Sequence, residues 1–183
     1  MKKLFFAIAI FAFGLTLQVN ADALSILKNT KIKAQQTVSV HNLAQLFINI
    51  TNYRGSHKKY PKLEEIDLPI RTLMNPYGGL NSEPAAPDKI TVANCAYAYF
   101  GAVLNDVTAG GISGSMPLAF EKPSIRDDGK LYVLLVGGKV ELKNIEAKNC
   151  AEVIAALKKE AQKPDEAVWD KLLLAAKAID QAK

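Results

Sequence analysis

Histidine, cysteine and tryptophan are scarce in this chain. Its 183 residues include two His, two Cys and one Trp. Cys95 and Cys150 belong to no CxxC pair and have no His at ligand spacing. Zinc and other transition metals need clusters of such side chains, so no metal site is expected. Phosphate-cradling loops are missing too. The glycine-rich stretch NDVTAGGISGSM, residues 105–116, has neither GxGxxG nor GxxxxGK spacing. The charge balance is mild. Lys and Arg number 23 against 18 Asp and Glu, a net charge of +5 without a dense basic stripe, and no nucleic-acid partner is expected. The composition, 49% hydrophobic and 22% charged with no repeat or low-complexity tract, is that of a globular protein.

Acidic residues are absent from the first 21 positions. That segment has a basic start at Lys2 and Lys3 and an apolar run from Leu4 to about Leu17. It then closes on Val19-Asn20-Ala21, with small residues suited to cleavage. The pattern predicts a secretory signal peptide over residues 1–21. The run is shorter than the roughly 20 residues of a membrane span, so membrane attachment is expected only if the leader is retained. No Cys follows it to carry a lipid anchor. The mature chain, 22–183, keeps 21 cations against 18 anions, a charge of +3, and is long enough for one domain. The expected location is periplasmic or secreted. In an oxidising compartment Cys95 and Cys150 are expected to form a disulfide, with two buried free thiols as the alternative. The closed loop of 56 residues would stabilise by about 3–4 kcal/mol on the chain-entropy account.

Proline and glycine are absent from Leu24 to Tyr53, which predicts one long helix. Val40, Leu43, Ala44, Phe47 and Ile50 form its apolar stripe, and Gly55 is expected to end it. Residues 60–89 are broken by five prolines and by Gly78 and Gly79, and read as a long connection with a helical turn near Leu63. Strands are predicted in ANCAYAYFG, with Tyr97 and Tyr99 on one face, and in MPLAFEK, where Pro117 indicates an edge or a strand start. In LYVLLVGGKVEL, residues 131–142, two apolar runs meet at Gly137-Gly138, as in a two-residue hairpin. That register sets Leu135 opposite Val140 and Val133 opposite Leu142. It gives an apolar face for the long helix and a mixed face, Tyr132, Leu134 and Val136, for the C-terminal segment. Two helices are predicted there. The first starts at Asn149 and Glu152, and the second, from Asp165, carries Val168, Trp169, Leu172, Leu173, Ala176 and Ile179 on a stripe expected to dock on the domain. The fold class is α+β: a long N-terminal helix packed on a small antiparallel sheet, with two C-terminal helices.

The order of these pieces is informative. LKNTKIKAQQTVSVHNLAQLFINITNY…YP resembles the helix that follows the membrane segment in type II secretion pseudopilins. It is most similar to a large bacterial pilin-like family in which AREKARQxxCxxNLKQLGLAxxxY precedes a Gly/Pro segment. CAYAYFG resembles that family's central SYxYxG strand. MPLAFEKPSIRDDGKLYVLLVGGKVEL resembles its closing xPLAYEKPxxHxxGxxNVLFxDGHVE block. The matches cover about half of the mature chain. They depart from the family at both ends. In Gly14-Leu15-Thr16-Leu17-Gln18 the apolar run lies mainly before the Gly, where the family's lies after its processing motif, and no Glu occupies the fifth position. Gly137-Gly138-Lys139 replaces an Asp-Gly-His turn, and the family's upstream His is replaced around Ile125 to Asp127.

The resemblance implies an exported, non-enzymatic domain with a structural or protein-interaction role at the cell envelope, whose partners are other envelope or secretion proteins. A periplasmic or secreted ligand- or protein-binding module unrelated to secretion is the alternative. Candidate chemistry is thin, and no catalytic, cofactor or metal residue is expected. Ser56 and His57 are adjacent in a loop, where a nucleophile and its base rarely face each other. His41 flanks the helix stripe. Glu64, Glu65 and Asp67 form an acidic cluster with nothing to fix it across a cleft. Asp127 and Asp128 offer carboxylates to calcium, as the resemblance allows, but two adjacent Asp also make an ordinary turn.

Overall fold

The computed structural model describes residues 2–77, 87–107, 112–126, 128–162 and 164–182, with side chains from Ser25 onward. The predicted leader, Gly78, Gly79 and Pro84 of the connection, much of the glycine-rich loop and Asp127 therefore lie outside the described side chains or residues. The chain divides into two units, Met1–Thr37 and Val38–Lys183. Helix α1 (Lys2–His57) supplies the described residues of the first and opens the second. In the first, Ile26 and Leu27 are exposed, and Thr30 and Thr37 donate their hydroxyls to carbonyls one turn back. Among the described residues no helix is long and apolar enough to cross a membrane.

The second unit is α+β. After α1 comes a 3-10 turn at Leu63–Glu65, where a helical turn was expected, and then the short α2 (Ile70–Leu73), a helix the proline-broken sequence did not suggest. Strand β1 (Tyr97–Tyr99) follows, then α3 (Gly101–Leu104), β2 (Pro117–Glu121), a 3-10 turn at Pro123–Ile125, β3 (Lys130–Leu135) and β4 (Val140–Asn144). Helices α4 (Cys150–Glu160) and α5 (Glu166–Gln181) end the chain. The described strands form one antiparallel sheet in the order β1-β2-β3-β4. Pro117 is the first residue of an interior strand, where a missing N–H is least costly.

Three layers result. Residues facing each other across strands share a face, and Tyr97, Glu121, Ala119 and Leu134 lie on the α1 side. Helix α1 meets them with Ser39, Asn42, Leu43, Leu46 and Ile50, all buried. This face is rotated from the predicted stripe: Val40 and Ala44 are only half-buried, and two polar side chains point inward. Helix α1 also runs past Gly55 to His57. Lys58, at φ 58°, takes the left-handed closing position and donates its N–H to Arg54 at 2.9 Å. The opposite sheet face carries Phe120, Leu131 and Val133, buried in one core with Val153, Ile154, Trp169 and Leu172. Lys143 on that face reaches Glu160 of α4 at 2.9 Å, and Glu141 bridges Lys139 and Lys143 at 2.7 and 3.1 Å.

The helix starts agree with the sequence. Asn149 Oδ1 accepts from the Glu152 N–H at 2.9 Å, and the Glu152 carboxylate accepts from the Lys148 N–H at 2.8 Å. Asp165 caps α5, and its predicted stripe is docked, with Val168, Trp169, Leu172 and Ala176 buried.

The hairpin register differs by one residue. Leu134 pairs with Val140, Val133 with Glu141 and Tyr132 with Leu142. The Leu135 carbonyl accepts from Gly138 N–H, and Leu135 N–H donates to Lys139, both at 2.9 Å. The loop is thus Val136-Gly137-Gly138, a three-residue connection closed by Gly138 at φ 87°. Val140 and Leu142 do lie on the α1 side, but they share it with Tyr132 and Leu134, while Val133 faces α4 and α5. A Cβ on Gly138 would meet the Phe47 ring at 2.6 Å. Gly138→Val is therefore expected to cost about 2–4 kcal/mol through strain and overpacking together. A thermal midpoint unchanged from the parent would contradict this.

Candidate functional site

The inward polar face of α1 prepares an unusual centre. Ser39 and Asn42 are three residues apart and so project from one side of the helix. Opposite them β2 ends in Glu121, whose side chain is fully buried. A buried carboxylate is tolerable only when its oxygens are supplied with donors. Oε1 accepts from the Ser39 hydroxyl and from the Tyr77 hydroxyl at 2.7 Å. Oε2 accepts from the Tyr132 backbone N–H at 2.7 Å and from Arg126 Nη1 at 3.4 Å.

Arg126 connects this carboxylate to the turn before β3. Its guanidinium is 5% exposed and donates from Nε to Asp128 Oδ1 at 2.9 Å and from Nη2 to Oδ2. Nη1 also reaches the Tyr77 hydroxyl at 3.2 Å. The guanidinium carbon lies 5.1 Å from the ring centroid of Tyr77 and 5.8 Å from that of Tyr132, which adds cation–π attraction. Partial burial raises the Asp128 carboxyl, but the Arg126 bonds and the Lys130 N–H outweigh it and hold the group below its ordinary value. On the far side, Tyr97 Oη accepts from Asn42 Nδ2 at 3.3 Å and lies 3.4 Å from Ser39 Oγ.

The tyrosines record how dry this layer is. Burial pushes the Tyr97 phenol up to about 12, with the Ser39 and Asn42 hydrogen bonds pulling it back. Tyr77 is raised by burial and then by the Glu121 carboxylate, and Tyr99 by burial and then by Tyr60 and Glu65. A raised folded value means the fold favours the neutral phenol. The associated stability is complete below the ordinary value of 10.0 and falls as pH rises from there through about 12. In an alkaline titration, phenolate absorbance from these side chains is expected to appear together with loss of circular dichroism. Ionisation of all six tyrosines near pH 10 with the fold intact would contradict this.

A second feature lies at the start of α4. Cys95 and Cys150, each 2% exposed, are free thiols that line one cleft of about 370 Å³ with Asn94, Lys122 and Asp180. The disulfide expected from the sequence is thus not formed in the structure. Asp180, near the end of α5, accepts from the N–H groups of Cys150 at 2.8 Å and Ala151 at 3.0 Å, two donors with no partner inside the helix. Burial, and then the hydrogen bond to Asp180, pushes the Cys150 thiol up to about 12. Burial also raises Cys95, against which its backbone hydrogen bond and the Lys122 charge act.

The other sequence candidates are not brought together. His57 stacks on Tyr53 with centroids 4.0 Å apart, and the Ser56 hydroxyl donates to the Asn52 carbonyl at 3.5 Å. His41 is exposed, 2.8 Å from the Gln45 amide. Glu65 accepts from the Lys62 N–H at 2.7 Å, while Glu64 and Asp67 are exposed. Asp128 is taken up by Arg126, and among the described residues no three His, Cys, Asp or Glu converge on a metal position. Sequence reasoning missed Glu121, Tyr77, Ser39 and Asn42. The available signal was a carboxylate ending an apolar strand five residues before an Arg. Comparison with protein-family models, curated proteins and solved structures found no match.

Proposed function

We propose that this chain is an exported pilin-like domain with a structural or protein-interaction role at the cell envelope, not an enzyme. One observation carries the reading. The motif blocks that resemble the pilin-like family fall on the elements such a domain requires: the end of α1, strand β1, and the contiguous β2-β3-β4. The buried centre is consistent with it, because the four donors around Glu121 tie β2 to α1, the Tyr77 segment, the Arg126 turn and β3. In this reading the centre is a fastening between helix and sheet. An exported ligand-binding module is the second reading, favoured by a cleft of about 490 Å³ where Arg126, Asp128, Lys130, Glu146, Lys148 and Glu152 set both charges side by side.

Export is tested on protein expressed with its own N-terminus in a bacterium. Mass spectrometry of the extracytoplasmic fraction is expected to find a start at Asp22. Retention of Met1, or a start at Leu15, in a membrane fraction would point to membrane or filament use. Cytosolic protein beginning at Met1 would overturn export, and with it the envelope role.

A further inference from the structure

We propose that Cys95 and Cys150 are a reversible dithiol–disulfide pair, closed by exchange with a small disulfide, that fastens the start of α4 to the approach to β1. The inference is independent of the pilin-like reading. Its basis is placement. Both cysteines are buried walls of one cleft, contributed by segments 55 residues apart in sequence. Lys122 lines the same cleft as both thiols. Lys122 is in turn held there, its backbone N–H donating to Ala96 at 2.9 Å and its ammonium to the Val92 carbonyl. The start of α4 is fixed from the other direction by Asp180.

The reaction balances in two exchanges. One thiol loses its proton, and its sulfur attacks the small disulfide, forming a mixed disulfide and expelling one thiolate. The second cysteine loses its proton and attacks the protein-bound sulfur, forming the Cys95–Cys150 bond and expelling the second thiolate. Two electrons pass to the small disulfide, and the two protons leave with its two thiols. Closing the bond removes the Cys150 S–H donor, but Asp180 keeps both backbone N–H groups, so the helix start survives the change. Thiolate is the attacking species, and both thiols are held above their ordinary range. Exchange in the folded protein is therefore slow at neutral pH and gains about tenfold in thiolate with each pH unit below the thiol value.

The test uses the reduced full chain, oxidised glutathione as the oxidant, and quenching with N-ethylmaleimide in denaturant. The expected product has lost two hydrogens, carries no maleimide and yields a Cys95 peptide linked to a Cys150 peptide. Its formation rate rises with pH, and a reducing agent restores the starting mass. The Cys95→Ser variant is expected to stop at a glutathione adduct on Cys150. Free, maleimide-labelled thiols after prolonged alkaline oxidation would overturn the proposal. So would a wild-type product that stops at the glutathione adduct, or links only between chains.

Discussion

Replacing Glu121 with Ala is expected to lower the free energy of unfolding by about 3–5 kcal/mol, the cost typical of breaking a buried ion pair. The loss has identifiable parts. Arg126, 5% exposed, keeps Asp128 but loses its second carboxylate. The Tyr77 and Ser39 hydroxyls and the Tyr132 N–H lose their acceptor together, and each buried donor left without one costs about 1–3 kcal/mol. Glu121→Gln keeps the shape and one acceptor oxygen, and is expected to cost less than Ala. Against a total of about 5–15 kcal/mol for a domain, the Ala variant approaches the limit of folding. Urea unfolding of the two variants beside the parent measures the difference. Equal midpoints for all three would show that the carboxylate contributes nothing net.

Trp169→Ala carries the next largest effect, about 3–5 kcal/mol, as for other buried aromatic truncations. Trp169 is 2% exposed, and Leu172 and Ala176 below it on α5 are fully buried, so little room exists for the neighbours to close the void. Removing residues 164–183 is expected to do more. It uncovers the partner face of α4 and takes Asp180 from the start of that helix. Loss of the thermal transition together with strong binding of a hydrophobic dye is the expected result. A truncated protein with the parent's midpoint would show that α5 is dispensable to the core.

What could be read from the residues followed the reach of each signal. Helices α4 and α5 announce themselves through Asn149 and Asp165, because a cap acts on N–H groups two or three residues away. The hairpin was legible as a hairpin, yet its register was not. Gly-Gly suits a two-residue turn and equally a three-residue loop ending at a positive φ. The choice falls to distant atoms: Val136 and Gly137 donate to Met116 and Gly114 at 2.9 Å, and Phe47 packs where a Gly138 side chain would be. The buried centre was hidden for the same reason. Ser39, Tyr77, Glu121, Arg126 and Tyr132 come from five segments, and no local pattern joins them. On α1 this centre disguised the helix face, since Ser39 and Asn42 occupy positions that an apolar stripe would fill.

The Lys139–Glu141–Lys143 chain along β4 has a consequence for solubility. An outer strand offers unpaired N–H and C=O groups to any other extended chain, and natural sheets discourage such annealing with charge and brevity. Strand β4 is five residues long and alternates Val140, Leu142 and Asn144 with Glu141 and Lys143. A second molecule pairing here in antiparallel register would bring copies of these charges together, and their present ion pairs would compete with any new match. The other border, β1, is three residues long and leads directly into α3, too short to template a stranger. Among the described strands both borders of the sheet are thus guarded against edge-to-edge growth, and association through backbone pairing there is disfavoured.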